Sequence, residues 1–194
     1  MMAYIMKFLK KNNFVIIFLL SSISYSMNSL AAAKKTILID DFIIEQEKRG
    51  VYVSFNQEFY LTSNIIDGLK NAIPLVFDIN FTLSNEVPYW FDDKILVKKS
   101  QYKIKYRNLI EKYEISDING EKSFYVDLKD ALESLQNIKN WYVGSLNKMN
   151  NRLEANLKIK LSKKYLPKPM QINIKDDSWD FQSEEITKYI EVSN

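Results

Sequence analysis

The stretch LVFDINFTLS, from Leu75 to Ser84, alternates strictly from Phe77 onward. Leu75, Phe77, Ile79, Phe81 and Leu83 are apolar, and Asp78, Asn80, Thr82 and Ser84 are polar. Successive side chains of a strand point to opposite faces, so this segment has one apolar face and one wet face. RLEANLKIKLS repeats the pattern, setting Leu153, Ala155, Leu157, Ile159 and Leu161 against Arg152, Glu154, Asn156, Lys158 and Lys160. Two one-sided strands of this kind call for antiparallel sheet with its apolar face covered by another layer. GVYVSFNQEF alternates through Val51, Val53, Phe55 and Phe59. The preceding KTILIDDFIIEQEKRG is its predicted hairpin partner, turning near Arg49 and Gly50.

The rest of the chain is less regular. In KILVKKSQYKIKYRNLIEKYEI the apolar positions are odd at Ile95 and Val97 but even at Tyr102, Ile104 and Tyr106, which predicts a register slip near Lys99 and Ser100. A second strand over about 109–115 is expected to fold back on the first, with a tight turn at Asn119-Gly120. TSNIIDGLKNA and VDLKDALESLQN carry apolar residues at helical spacing, with Thr62 or Ser63 and Asp127 as N-caps, and the first helix ends before Pro74. The expected fold is mainly β (α+β): an antiparallel β-sandwich or curled sheet with two short helices over an edge or end. The phenylalanines and tyrosines fall mostly at core phase, so they read as core rather than as a stacking platform.

Residues 1–33 belong to a different class. They carry Lys7, Lys10 and Lys11 without an acid, then the apolar run FVIIFLLSSISYSM, then small residues with Ala31 and Ala33 at cleavage spacing. This order predicts a secretory signal peptide over 1–33, followed by a single β-rich periplasmic domain over 34–194. The alternative is an uncleaved anchor at the inner membrane. Spanning helices need about 20 apolar residues, more than this run supplies, so no stable membrane span is expected after cleavage. Without the leader, 24 basic residues face 24 acidic ones, which removes the whole-molecule case for nucleic-acid binding. The chain has no Cys and no His, so disulfides, Ser-His-Asp triads, Cys-His dyads and ordinary zinc sites are all excluded.

What remains for chemistry is sparse. Asp40-Asp41, Asp92-Asp93 and Asp176-Asp177 are sequential pairs, and neighbours on a strand diverge, so they read as solvated turn acids rather than a catalytic dyad. Asp176, Asp177 and Asp180 offer oxygens for calcium but match no EF-hand spacing. Seven Lys or Arg lie between Lys148 and Lys168 with Glu154 as the only acid. Lys158 and Lys160 fall on a wet strand face, while Lys163, Lys164 and Lys168 are free to meet an acidic partner, an anionic envelope surface, or the six acids between Asp176 and Glu191. VPYWFDD is the most unusual stretch. Tyr89, Trp90 and Phe91 cannot all enter one core from an extended segment, so some cap an end or, with Asp92 and Asp93, face a partner.

In order along the chain, GLKNAIPLVFDINFTL, YWFDD, YKIKYRNLIEKYEI, DLKDALESL and YLPKPMQI with SWDFQSE resemble an exported Gram-negative family. It is known as domain of unknown function 4390, or as a proline-rich signal-peptide protein. The resemblance implies export and a compact β-rich domain, and it supplies no catalytic residue. It also implies an accessory role beside a membrane sensor histidine kinase. Similar sequences usually have Gly before the apolar-Pro step where this chain has Ala72, which weakens the expectation of a special backbone conformation there. The expected function is therefore a non-enzymatic binding or accessory module of the periplasm, without a cofactor, working through Tyr89, Trp90, Phe91, Asp92 and Asp93. The rivals are a carboxylate-dependent envelope hydrolase and a structural protein anchored by its leader. YLPKPMQINIKDDSWDF reads as a structural seam. Pro167 and Pro169 hold it extended and turn it, Ile172 and Ile174 resume a strand, and Trp179 with Phe181 closes the core.

Overall fold

The computed structural model describes residues 36–47, 50–85, 94–146, 152–172 and 179–191. Nine strands form two antiparallel sheets among these residues. Strands β1 (Ile37–Glu47), β2 (Gly50–Phe59) and β7 (Asn137–Ser145) make a three-stranded sheet in the order β1-β2-β7. The second sheet has six strands in the order β6-β5-β4-β3-β8-β9. These are β3 (Leu75–Asn85), β4 (Lys94–Arg107), β5 (Lys112–Ser116), β6 (Lys122–Tyr125), β8 (Arg152–Leu161) and β9 (Ile186–Glu191). Helices α1 (Ser63–Lys70), α2 (Leu128–Glu133) and α3 (Lys168–Ile172), with a 3-10 turn at Lys163–Tyr165, complete the mainly β architecture.

The core lies between the sheets. The alternation of β3 and β8 puts Leu75, Phe77, Ile79, Phe81 and Leu83 beside Leu153, Ala155, Leu157, Ile159 and Leu161, and all are buried. From the facing sheet, Phe42 and Trp141 meet Phe81 edge-on, and Phe59 lies 5.5 Å from Phe77 and 5.8 Å from Tyr102 between ring centroids. Offset and edge-on rings of this kind add to the area they bury. The aromatics that read as core are largely core, with Phe55, Phe77, Phe81, Phe181 and Tyr102 almost fully enclosed.

Two bulges explain what alternation alone does not. Between Asp40 and Ile43 the β1–β2 register shifts, with Asp41 at φ 49°, so the inward phase passes from Ile37 and Ile39 to Phe42. In β7, Asn140 at φ 51° separates inward Ile138 from inward Trp141 and Val143, a spacing that hides this strand from a period-two reading.

In β4 the register slip is real but misplaced by the sequence. Pairing with β3 runs unbroken from Ile104 to Leu96, and the shift comes at Leu83/Ser84, where Ile95 is passed over. Leu96 takes the inward phase with Tyr102, and Val97 is exposed. The even positions between them, Lys98 and Ser100, lie opposite Phe81 and Ile79 on the inner face. Two polar residues at inward phase had disguised a continuous strand.

The seam also needs a correction. Lys168–Ile172 is a helical turn rather than a resumed strand, with Pro169 in its first turn, where the missing N–H costs nothing. Ile174 lies outside the described residues. The closure itself stands. Trp179 and Phe181 are buried, and Phe181 meets Phe77 edge-on at 5.8 Å. The Leu161 N–H donates to the Phe181 carbonyl at 2.7 Å, and Thr36 Oγ1 accepts from the Gln182 N–H at 2.8 Å, tying the start of the first sheet to the second.

Helix α1 ends in a Schellman motif. The Ala72 N–H donates to the Leu69 carbonyl and the Ile73 N–H to the Gly68 carbonyl, both at 3.0 Å. Ala72 adopts φ 62°, so this turn does make a special backbone demand, contrary to the expectation from its sequence. Gly68 lies under Trp179, where a Cβ would overlap the indole ring.

Candidate functional site

The wet face of the six-stranded sheet carries a run of polar and basic side chains on adjacent strands. On β4 the outward positions are Lys99, Gln101, Lys103 and Lys105. On β8 they include Lys158 and Lys160, and on β3 Asp78 and Asn80. Register fixes their neighbours. Asn80 stands between Lys99 and Lys158, and Asp78 between Gln101 and Lys160. The Gln101 amide donates to Asp78 at 2.6 Å, so the carboxylate is already engaged. A shallow depression of about 460 Å³ opens here, lined by Asp78, Asn80, Lys99, Ser100, Gln101 and Lys160. Lys99, Lys103, Lys105, Lys158 and Lys160 form no ion pair among the described residues.

Toward β5 the same face carries a buried carboxylate. Glu114 accepts from Arg107 Nε and lies 3.4 Å from Lys122 Nζ. The Arg107 hydrogen bond, against the cost of burial, holds the Glu114 carboxyl below its usual range. Such a group is a fixed anion, the opposite of a carboxyl tuned to give up a proton near neutral pH.

Residues 34–188 match the family described as a domain of unknown function, DUF4390. The chain belongs to this family. No curated protein and no solved structure matches it.

In this DUF4390 chain, the sequence had not drawn attention to the polar centre of the core. Gln57 occupies the inward phase of β2 between Phe55 and Phe59 and is buried. Its amide donates to the Leu135 carbonyl at 2.7 Å, and its Oε1 accepts from Tyr102 Oη at 3.1 Å. Burial pushes the Tyr102 phenol well above its ordinary value, the Gln57 bond opposing only in part. Every member of this group is satisfied, so it ties β2, β4 and the segment after α2 together rather than presenting a reactive atom. The one available signal was a glutamine at an apolar phase.

The residues that the sequence singled out fare unevenly in the DUF4390 domain. Tyr89, Trp90, Phe91, Asp92 and Asp93 lie outside the described residues, and so do Asp176 and Asp177. Asp180 pairs with Lys163 at 3.4 Å, which is the mutual neutralisation anticipated between the basic and acidic segments. Asp41 sits at the β1 bulge and accepts from the Asn56 amide at 2.7 Å. No group of three or more acidic side chains is gathered closely enough to hold a metal ion among the described residues. No helix among them is long and apolar enough to cross a membrane.

Proposed function

We propose that the protein is an exported periplasmic binding or accessory module that acts without catalysis, in partnership with an envelope protein such as a membrane sensor histidine kinase. The basic, apolar and small-residue order of residues 1–33 supports export. The observation that carries the binding reading is the wet face of the six-stranded sheet, where Lys99 and Lys160 line a depression whose one acid, Asp78, is engaged by Gln101, and Lys103, Lys105 and Lys158 stand on the same face, all five without an ion pair among the described residues. Such a face attracts an acidic partner and speeds its encounter. Glu114, held ionised by Arg107 and Lys122, is unsuited to the general-acid role that a carboxylate hydrolase requires of one of its two carboxyl groups. Tyr89 to Asp93 remain the second proposed contact.

Two experiments test the proposal. N-terminal sequencing of the periplasmic fraction is expected to give a start near Lys34, and a retained leader overturns the processed form. Pull-downs from envelope extracts then compare wild type with Trp90→Ala and with Lys99→Glu/Lys158→Glu. Loss of a partner from either folded variant supports the module. Equal recovery of every partner by both removes these surfaces.

A further inference from the structure

The hairpin joining β4 to β5 ends in an apolar tip. Arg107 and Lys112 are the last paired residues, and the turn beyond them carries Leu109, fully exposed, and Ile110, 54% exposed. Glu111 closes the turn at φ 51°. On the neighbouring strand, Phe124 lies opposite Glu114, and Val126 follows one residue past the Tyr113–Tyr125 pair. Phe124 is 50% and Val126 68% exposed. Single exposed apolar residues are ordinary, but four at one corner of one sheet are not.

The corner is also cationic. Outward side chains on the approaching rows are Lys103, Lys105 and Arg107 on β4, Lys112 on β5 and Lys122 on β6. Glu114 is neutralised by Arg107 and Lys122, the exposed acids Glu111 in the turn and Asp127 after Val126 offset part of the charge, and Lys103, Lys105 and Lys112 make no ion pair among the described residues. A convex apolar tip with unpaired lysines behind it meets both requirements of reversible attachment to an anionic bilayer. The tip enters the interface and the ammonium groups remain at headgroup level. A protein partner would need a pocket shaped around Leu109, whereas a lipid interface accepts the tip as it stands.

We infer that the β4–β5 hairpin tip, Leu109 and Ile110 flanked by Lys105, Arg107 and Lys112, docks the protein peripherally on an anionic phospholipid surface. This docking stands on exposure and charge at the corner; it shares Lys103 and Lys105 with the wet face proposed above, but its apolar tip and its test at Leu109 do not depend on a protein partner.

The chain has no cysteine, so a single thiol can be placed cleanly. The full chain carrying Leu109→Cys, labelled with an environment-sensitive fluorophore, is mixed with phosphatidylglycerol/phosphatidylcholine vesicles. The same is done with Tyr142→Cys, an exposed position on β7. The probe at 109 is expected to shift to the blue on anionic vesicles, to stay unshifted on pure phosphatidylcholine, and to revert in high salt, while the probe at 142 stays unshifted. The comparison within one chain holds whether or not the leader is cleaved. Lys105→Gln/Lys112→Gln is expected to raise the lipid concentration for half-maximal shift about thirtyfold, since each cation near an anionic surface contributes separately. Equal responses at 109 and 142, or insensitivity to lipid charge, overturns the inference. A shift at 109 that grows with protein concentration without vesicles assigns the tip to a second copy of the chain and overturns it as well.

Discussion

Ala72→Gly is expected to stabilise the protein. Ala72 is the residue after the C-cap of α1 and adopts φ 62°, with the Ile73 N–H and Ala72 N–H closing onto the Gly68 and Leu69 carbonyls. The left-handed conformation brings Cβ against the backbone and costs a residue that has one about 1–2 kcal/mol. Glycine escapes that cost but loses about 0.5–1 kcal/mol more in chain entropy on folding. The Ala72 side chain is exposed, so its removal forfeits no core contact. The balance is a gain of about 0.5–1 kcal/mol, or about 1–4 °C in melting temperature for a domain of this size. Urea unfolding followed by tryptophan fluorescence measures it, with Ala72→Val as the opposing control, since a β-branched residue tolerates this conformation worst. A midpoint that is unchanged or lower for Ala72→Gly, at equal slope, refutes the reasoning. It would mean that the turn is not held left-handed in solution.

Trp179→Ala is expected to cost about 3–5 kcal/mol in the same urea assay, because the buried indole covers Gly68 of α1. An unchanged midpoint would return the C-terminal stretch from seam to surface. Gln57→Leu strands the Leu135 carbonyl and the Tyr102 hydroxyl without their partner and is expected to cost about 1–3 kcal/mol, read as a lowered denaturation midpoint. Glu114 binds fewer protons folded than unfolded, because its carboxyl is held below its ordinary value of 4.5. Its contribution is therefore complete above that value and lost as pH falls through the folded value. Melting temperatures of wild type and Glu114→Gln are thus expected to converge as the medium is acidified below about pH 4.5 and to stay apart at neutral pH.

Much of the fold is legible along the chain. β3 and β8 alternate cleanly because each has one face in the core and one in water, and local periodicity records that division directly. The β1–β2 hairpin and the Asn119-Gly120 turn are legible for the same local reason, Gly120 taking φ 84° as a tight turn requires. The presence of α1 and α2 follows from spacing and breakers. What failed did so where residues distant in sequence settle the outcome. Lys98 and Ser100 sit at inward phase because β3 sets the register of β4, although their own chemistry argues for water. β7 went unseen because its bulge at Asn140 resets the phase between Ile138 and Trp141. Ala72 takes a glycine's conformation because the end of α1 must close its carbonyls before β3 begins, a demand that outweighs the residue's own preference. The candidate surfaces divide in the same way. Single lysines and an apolar turn are visible in the sequence. That Lys99 and Lys158 flank Asn80, or that Phe124 and Val126 share a sheet corner with Leu109, depends on strand order and register, because the sheet brings together side chains that the sequence keeps apart.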